Sequence, residues 1–247
     1  EIISPKSVQR NMTVVRSVVN VGLVELGLDS TVKNNFSGLK VEGAENGGGA
    51  FTTEFDNQVP IPPDILNHIN TQIEQGANVE LRLMWRILRG TGCRLSEVRE
   101  LRCQDVFLDH EVPHIYVVPH TGRRLKNSSS IRRVPLLGDA FEAASDALSH
   151  ASGNEDLFKR YTGRKGASSS SGTLMKHIRL HTEDTRHVVN SLRHQMKDAL
   201  LEAGVEKLLR DLVMGHALES VGDNHYGGLS ARLRITRGAL EQALKMG

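Results

Sequence analysis

Four short strings hold the residues of this chain that could do chemistry. They are Thr91-Gly92-Cys93-Arg94-Leu95-Ser96-Glu97, then Arg123-Arg124-Leu125-Lys126 ahead of Arg132-Arg133-Val134-Pro135-Leu136, then Asn190-Ser191-Leu192-Arg193-His194, and Met214-Gly215-His216 with Tyr226 ten residues beyond the histidine. Guanidinium forks meet phosphate oxygens bidentately and keep their proton, so Arg94 and Arg193 suit an oxyanion clamp. Breaking a phosphodiester without a metal also needs a nucleophile and a proton for the departing oxygen, and tyrosine and lysine can supply them. Arg123, Arg124, Lys126, Arg132 and Arg133 fall within eleven residues that contain no acid. Such a block suits phosphate contact and equally suits a solvated hairpin. One arginine near a helix start is ordinarily just an exposed side chain, so only the strings taken jointly point to phosphate chemistry.

These residues must be positioned by surrounding elements. Ser4-Pro5 reads as N-cap and first helical residue, and Val8, Met12, Val15, Val19 and Leu23 predict an amphipathic helix over 5–26, stopped by Gly27. Residues 43–59 are rich in Gly, Asn and Thr without periodicity and read as a linker, dividing the chain into 1–42, 43–59 and 60–247. Beyond it, Ile61-Pro62-Pro63-Asp64 introduces a helix, and Leu81, Met84, Trp85 and Leu88 form a buried stripe up to Gly90. Ser96 is read as the N-cap of a helix reaching about Cys103, which leaves Arg94 in the turn before it. Val112–Val118 and Ile131–Leu137 read as two strands joined by a long basic loop. Helices are then predicted at Phe141–Leu148, Leu192–Ala203, Glu206–Met214 and Gly238–Met246, with a Ser-rich loop at 168–172. The fold class is α+β, mainly helical, with a small antiparallel sheet.

Composition bounds the alternatives. The chain has 247 residues, of which 38% are hydrophobic and 24% charged, which excludes disorder as the main state. Apolar runs are too short to cross a bilayer, so no membrane role is expected. Cys93 and Cys103 belong to no paired ligand motif, which favours a reducing, cytoplasmic setting. With neither Met nor a leader at its start, Glu1 is expected to lie inside a longer natural chain. Net charge is −2 over residues 1–59 and +4 over the remainder. Among eleven histidines, His177 and His181 lie four apart but lack the glutamate and cysteine context of a metal site, so no metal is expected.

In their order and spacing the four strings resemble the tyrosine recombinase, or phage integrase, family. The resemblance covers most of residues 60–247, and residues 4–27 additionally resemble the end of that family's core-binding domain. It implies a site-specific DNA recombinase for integration or excision of a mobile element. Arg94 and Arg193 would clamp the scissile phosphate, and Lys126 would protonate the departing 5′ oxygen, with His120 competing for that position. His216 and the clamp would supply a positive field to Tyr226, the nucleophile of a 3′-phosphotyrosine intermediate. Glu97 would orient a basic group, His194 would support helix packing, and Arg123, Arg124, Arg132 and Arg133 would contact DNA.

The resemblance further implies no cofactor, a double-stranded DNA site, a homotetramer on DNA with the segment after Tyr226 packed on a neighbour, accessory DNA-bending proteins, and a nucleoid-associated protein of a bacterium or phage. A cleavage-deficient accessory protein of the same fold and a type IB topoisomerase-like enzyme are the alternatives. Tyr116, in a strand, and Tyr161, in a polar turn that could reach a DNA backbone, are the rival tyrosines. Two departures stand out. The spacing from His216 to Tyr226 is one residue longer than usual, and Asn190 stands where most members carry a histidine. Asn190 is read as a helix N-cap that can also donate to a phosphate oxygen, with His187 a candidate replacement imidazole.

Overall fold

Proline opens two helices, where its missing N–H would have had no helical partner. These are α1 (Pro5–Glu25) and α2 (Pro63–Gly76). The computed structural model describes residue 3 and residues 5–42, 58–120, 128–217 and 227–246. The chain divides into two compact units, residues 1–56 and 57–247. In the first, the segment after α1 folds back on it: Arg16 Nε donates to the Phe36 carbonyl at 2.7 Å and Asn34 Nδ2 to that of Arg16 at 3.0 Å. Val14, Val18, Val21 and Val24 of α1 remain exposed, an apolar stripe without cover from the described residues of this unit.

The second unit is built around α3 (Val79–Thr91), whose first turn is capped by Asn78 accepting from the Leu81 N–H at 3.2 Å. Leu81, Met84, Trp85 and Leu88 are buried, and so are Leu83 and Ile87, so α3 is covered on most sides. It packs on α5 (Gly138–Ala151) through a stripe of Ala140, Ala143, Ala144 and Ala147, small residues that let the two helices approach closely. Strands β1 (Val106–Phe107), β2 (His114–Val117) and β3 (Arg132–Pro135) form one antiparallel sheet in that order. Ile115 pairs with Val134 and Val117 with Arg132, and Ile115, Val117 and Val134 all join the core. The two-residue β1 is too short to show a period in sequence.

Helix α4 (Leu95–Arg99) is shorter than the predicted 96–103 because the chain beyond it bonds elsewhere. Cys103 N–H donates to the Glu155 carbonyl at 2.9 Å, and Leu157 N–H to that of Leu101 at 3.0 Å. The predicted Ser-rich loop at 168–172 is instead the middle of α6 (Gly163–Arg179). Ser170 Oγ there bonds back to the Gly166 carbonyl at 2.8 Å, and the fully buried Leu174 and Ile178 anchor the helix, so packing overrides propensity.

Helices α7 (Ser191–Glu202), α8 (Lys207–Met214) and α9 (Leu229–Met246) share a second core cluster containing Met196, Leu200, Val213, Met214, Ala239 and Leu240. Helix α9 begins well before the predicted Gly238 and packs on α7, α8 and β3 of its own chain.

Candidate active site

The first string is a helix-to-helix corner. Gly92 ends α3 in the left-handed region (φ +62°), and a Cβ there would lie 2.7 Å from Met196 Cγ, so both backbone and space require glycine. Arg94 then occupies the N-cap of α4, 27% exposed at its side chain. Its backbone N–H donates to Glu97 Oε2 at 2.9 Å, and its guanidinium to Oε1 at 2.7 Å.

Arg193, in the first turn of α7, joins three strings. One terminal guanidinium nitrogen donates to the Gly92 carbonyl at 2.9 Å and the other to the Met214 carbonyl, across 101 and 21 residues of chain. The side chain is buried. Burial, reinforced by the charges of Arg94 and Arg132, lowers its pKa to about 10, so its charge is held under stress that an incoming anion would relieve. His216 follows Gly215, which ends α8 in the left-handed region. Its Nδ1 lies 3.1 Å from Asp211 Oδ1. An Nδ1–H donated to that oxygen leaves Nε2 as an acceptor. Burial lowers the His216 pKa, and the charges of Arg193 and Arg94 lower it further, against the hydrogen bond to Asp211. The arginines therefore place positive charge beside His216 and disfavour its own charged form.

Glu97 is buried and accepts from Arg94 and from both terminal nitrogens of Arg132, at 3.3 and 3.0 Å. Burial by itself would raise its pKa, but Arg132, then Arg94, hold it at about 2. Arg132 is read from sequence as a DNA contact. It is instead 7% exposed, with Nε donating to the Val213 carbonyl at 3.0 Å, so its guanidinium faces inward and that expectation is corrected. Arg133, its neighbour on β3, is half-buried, its guanidinium 5.5 Å above the ring of Tyr116.

Asn190 occupies the N-cap position of α7, yet its side chain makes no capping bond, which corrects the capping expectation. Its backbone is already helical (φ −69°, ψ −11°), and Nδ2 donates to Gln58 Oε1 at 2.7 Å and lies 3.4 Å from His194 Nε2. His187 is buried against Thr182, its Nδ1 2.8 Å from the hydroxyl. His120 Nε2 meets the Glu100 carbonyl at 2.9 Å. Tyr161 is 2% exposed with its hydroxyl bonded by Asn78, so the expected backbone-touching turn residue is a core side chain. Lys126, Arg123, Arg124 and Tyr226 lie outside the described residues. Beside His216, a cavity of about 200 Å³ opens between β3, α8 and α9, lined by Arg133, Asp211, Arg232 and Thr236 among others. Asp211 and the inward role of Arg132 escaped sequence reading, because each is defined by a partner distant in the chain or across a helix end.

Two arginines, a carboxylate bonded to one of them, and a histidine bonded to Asp211 thus stand on one helical scaffold. The chain belongs to the phage integrase family, whose model matches residues 61–230. Among curated relatives it is similar to tyrosine recombinase XerC of Neisseria meningitidis and of Neisseria gonorrhoeae, each 27% identical over 164 residues, 64% of this chain and 51% of the relative. The chain thus spans about half the length of the curated relatives it matches. Among solved structures, a Tn1549 transposon integrase in complex with circular intermediate DNA is 20% identical with a TM-score of 0.58, over 95% of this chain and 80% of that one. XerA recombinase is 15% identical with a TM-score of 0.51, over 99% and 81%. The fold is that of tyrosine recombinase catalytic domains.

Proposed function

We propose that residues 60–247 are the catalytic domain of a site-specific DNA recombinase, with residues 1–42 the end of a core-binding domain and 43–59 the linker. The observation that carries this reading is the Arg193 guanidinium, bonded at once to the carbonyls of Gly92 and Met214, which ties it to the two turns that bear Arg94 and His216. Arg94 and Arg193 neutralise the non-bridging oxygens of a scissile phosphate. The Tyr226 oxygen attacks phosphorus, its proton passing to His216 Nε2, and the bond to the 5′ oxygen breaks as Lys126 protonates that oxygen. The 3′-phosphotyrosine so formed conserves the phosphoester, and a 5′-hydroxyl of another strand reverses the step without ATP. The partner is a double-stranded DNA site, engaged by four protomers with DNA-bending accessory proteins, in integration or excision of a mobile element. Arg123, Arg124 and Arg133 contact the backbone of that DNA.

Nicked genomic fragments, which lose the 5′-hydroxyl-bearing strand after cleavage, test this. A covalent protein–DNA adduct is expected from the wild type and none from Tyr226→Phe, which should bind DNA with nearly unchanged affinity. Binding without an adduct would make the protein an accessory DNA-binding module, and relaxation of supercoils without strand exchange would make it topoisomerase-like.

A further inference from the structure

A buried arginine needs a reason, and Arg132 has partners in the first string, in the turn before its own strand and at the end of α8. It reaches both Glu97 oxygens, the Val213 carbonyl at the end of α8, the Ser130 carbonyl at 3.1 Å and Cys93 Sγ at 3.5 Å. The string that bears His216 is shaped around it. A Cβ on Gly215 would lie 2.7 to 3.0 Å from three atoms of the Arg132 guanidinium, and Gly215 already needs glycine for its φ of +65°. Charge gives the arrangement its consequence. Glu97 faces Arg94 from its own helix start, Arg132 from β3, Arg193 from α7 and the Cys93 thiol, which burial keeps protonated. Arg94 and Arg132 share the one carboxylate, at 2.7 Å and at 3.0 to 3.3 Å, so with Arg193 beside them the group keeps a positive excess for an anion. Without Arg132, the buried carboxylate would have Arg94 as its main counter-ion and would cancel its charge.

We propose that Arg132 is a positioning residue for strand cleavage: it locks the carboxylate that aims Arg94 and, through the Val213 carbonyl, anchors the helix end that presents His216. This rests on the cleavage reading above. Arg132→Met should form adduct at least about 100-fold more slowly than wild type at neutral pH, with DNA affinity within about threefold. Its deficit should shrink as pH falls and Glu97, now lacking its main counter-charge, protonates and releases Arg94. Adding Glu97→Gln should restore at least about tenfold for the same reason. A protein in which Arg132 serves only folding would show neither the pH dependence nor the rescue. If Arg132→Met does not melt cooperatively, Arg132→Lys decides, since it keeps the charge but cannot reach Glu97 and Val213 together. Adduct formation at least about tenfold slower supports the proposal. Wild-type rates in the folded variant overturn it, as does a deficit that neither pH nor Glu97→Gln changes. No adduct from the wild type itself overturns the cleavage reading, and this proposal with it.

Discussion

Glu97 carries a stability that depends on its charge. Its carboxyl ordinarily titrates near 4.5 and here near 2, so folding favours the ionised form. The contribution is fully present above the unfolded value and is lost as pH falls through the folded one; for this 3% exposed group the difference is worth about 3 kcal/mol. Glu97→Gln should therefore melt lower at neutral pH and lose less stability than wild type between about pH 5 and pH 2, as followed by circular dichroism. At the same scale, Arg193 holds two carbonyls with one fork, which a lysine ammonium cannot span. Arg193→Lys and Arg94→Lys should each slow adduct formation at least about 100-fold, or about 2.7 kcal/mol of barrier. Near-normal single-turnover rates would remove them from the clamp.

Among the elements, the α3–α4 corner and the starts of α3 and α7 make contrasting cases. Gly92→Ala would impose a left-handed alanine and drive its Cβ into Met196. We expect a loss of about 2–4 kcal/mol, the sum of backbone strain and overpacking, seen as a melting temperature lower by several degrees. Asn78 and Asn190 both stand at helix starts, yet only Asn78 makes the capping bond. Asn78→Ala should lose about 1 kcal/mol or more, whereas Asn190→Ala should stay within about 0.5 kcal/mol, an exposed substitution without a cap to lose. Equal melting shifts for the two variants would contradict this assignment.

For the whole molecule, α9 is a structural wall of the site-bearing unit. Leu233, Ala239, Leu240 and Ala243 are buried, and their removal would uncover Met196, Leu200, Val213 and Met214. Truncation after residue 227 should destabilise α8 and the His216 turn, read as lost amide protection over 205–216 in hydrogen exchange. Unchanged protection there would mean that α9 is dispensable. Affinity for duplex DNA should fall steeply with salt, with a log–log slope of several units, because phosphate contacts release counterions. A flat response in a binding titration would count against a DNA partner.

The sequence by itself determined the helix stripes, the β2–β3 pair and the four strings, because each is encoded by local periodicity or by residue types that chemistry makes distinctive. Helix α3 is legible from Leu81, Met84, Trp85 and Leu88 alone, and the strands from their β-branched runs between turn residues. Only the tertiary structure decided what the polar residues do, since burial and partner identity arise from contacts distant in the chain. Arg132 and Arg133 are adjacent and identical in type, yet strand alternation sends one to Glu97 and leaves the other over Tyr116. Asn190 has a capping residue's identity without its dihedrals, and the serines at 168–172 have a loop's composition inside a helix held by Leu174 and Ile178. The convergence of Arg94, Arg193 and His216 likewise depends on two backbone carbonyls accepting one guanidinium, and backbone acceptors leave no mark on residue type.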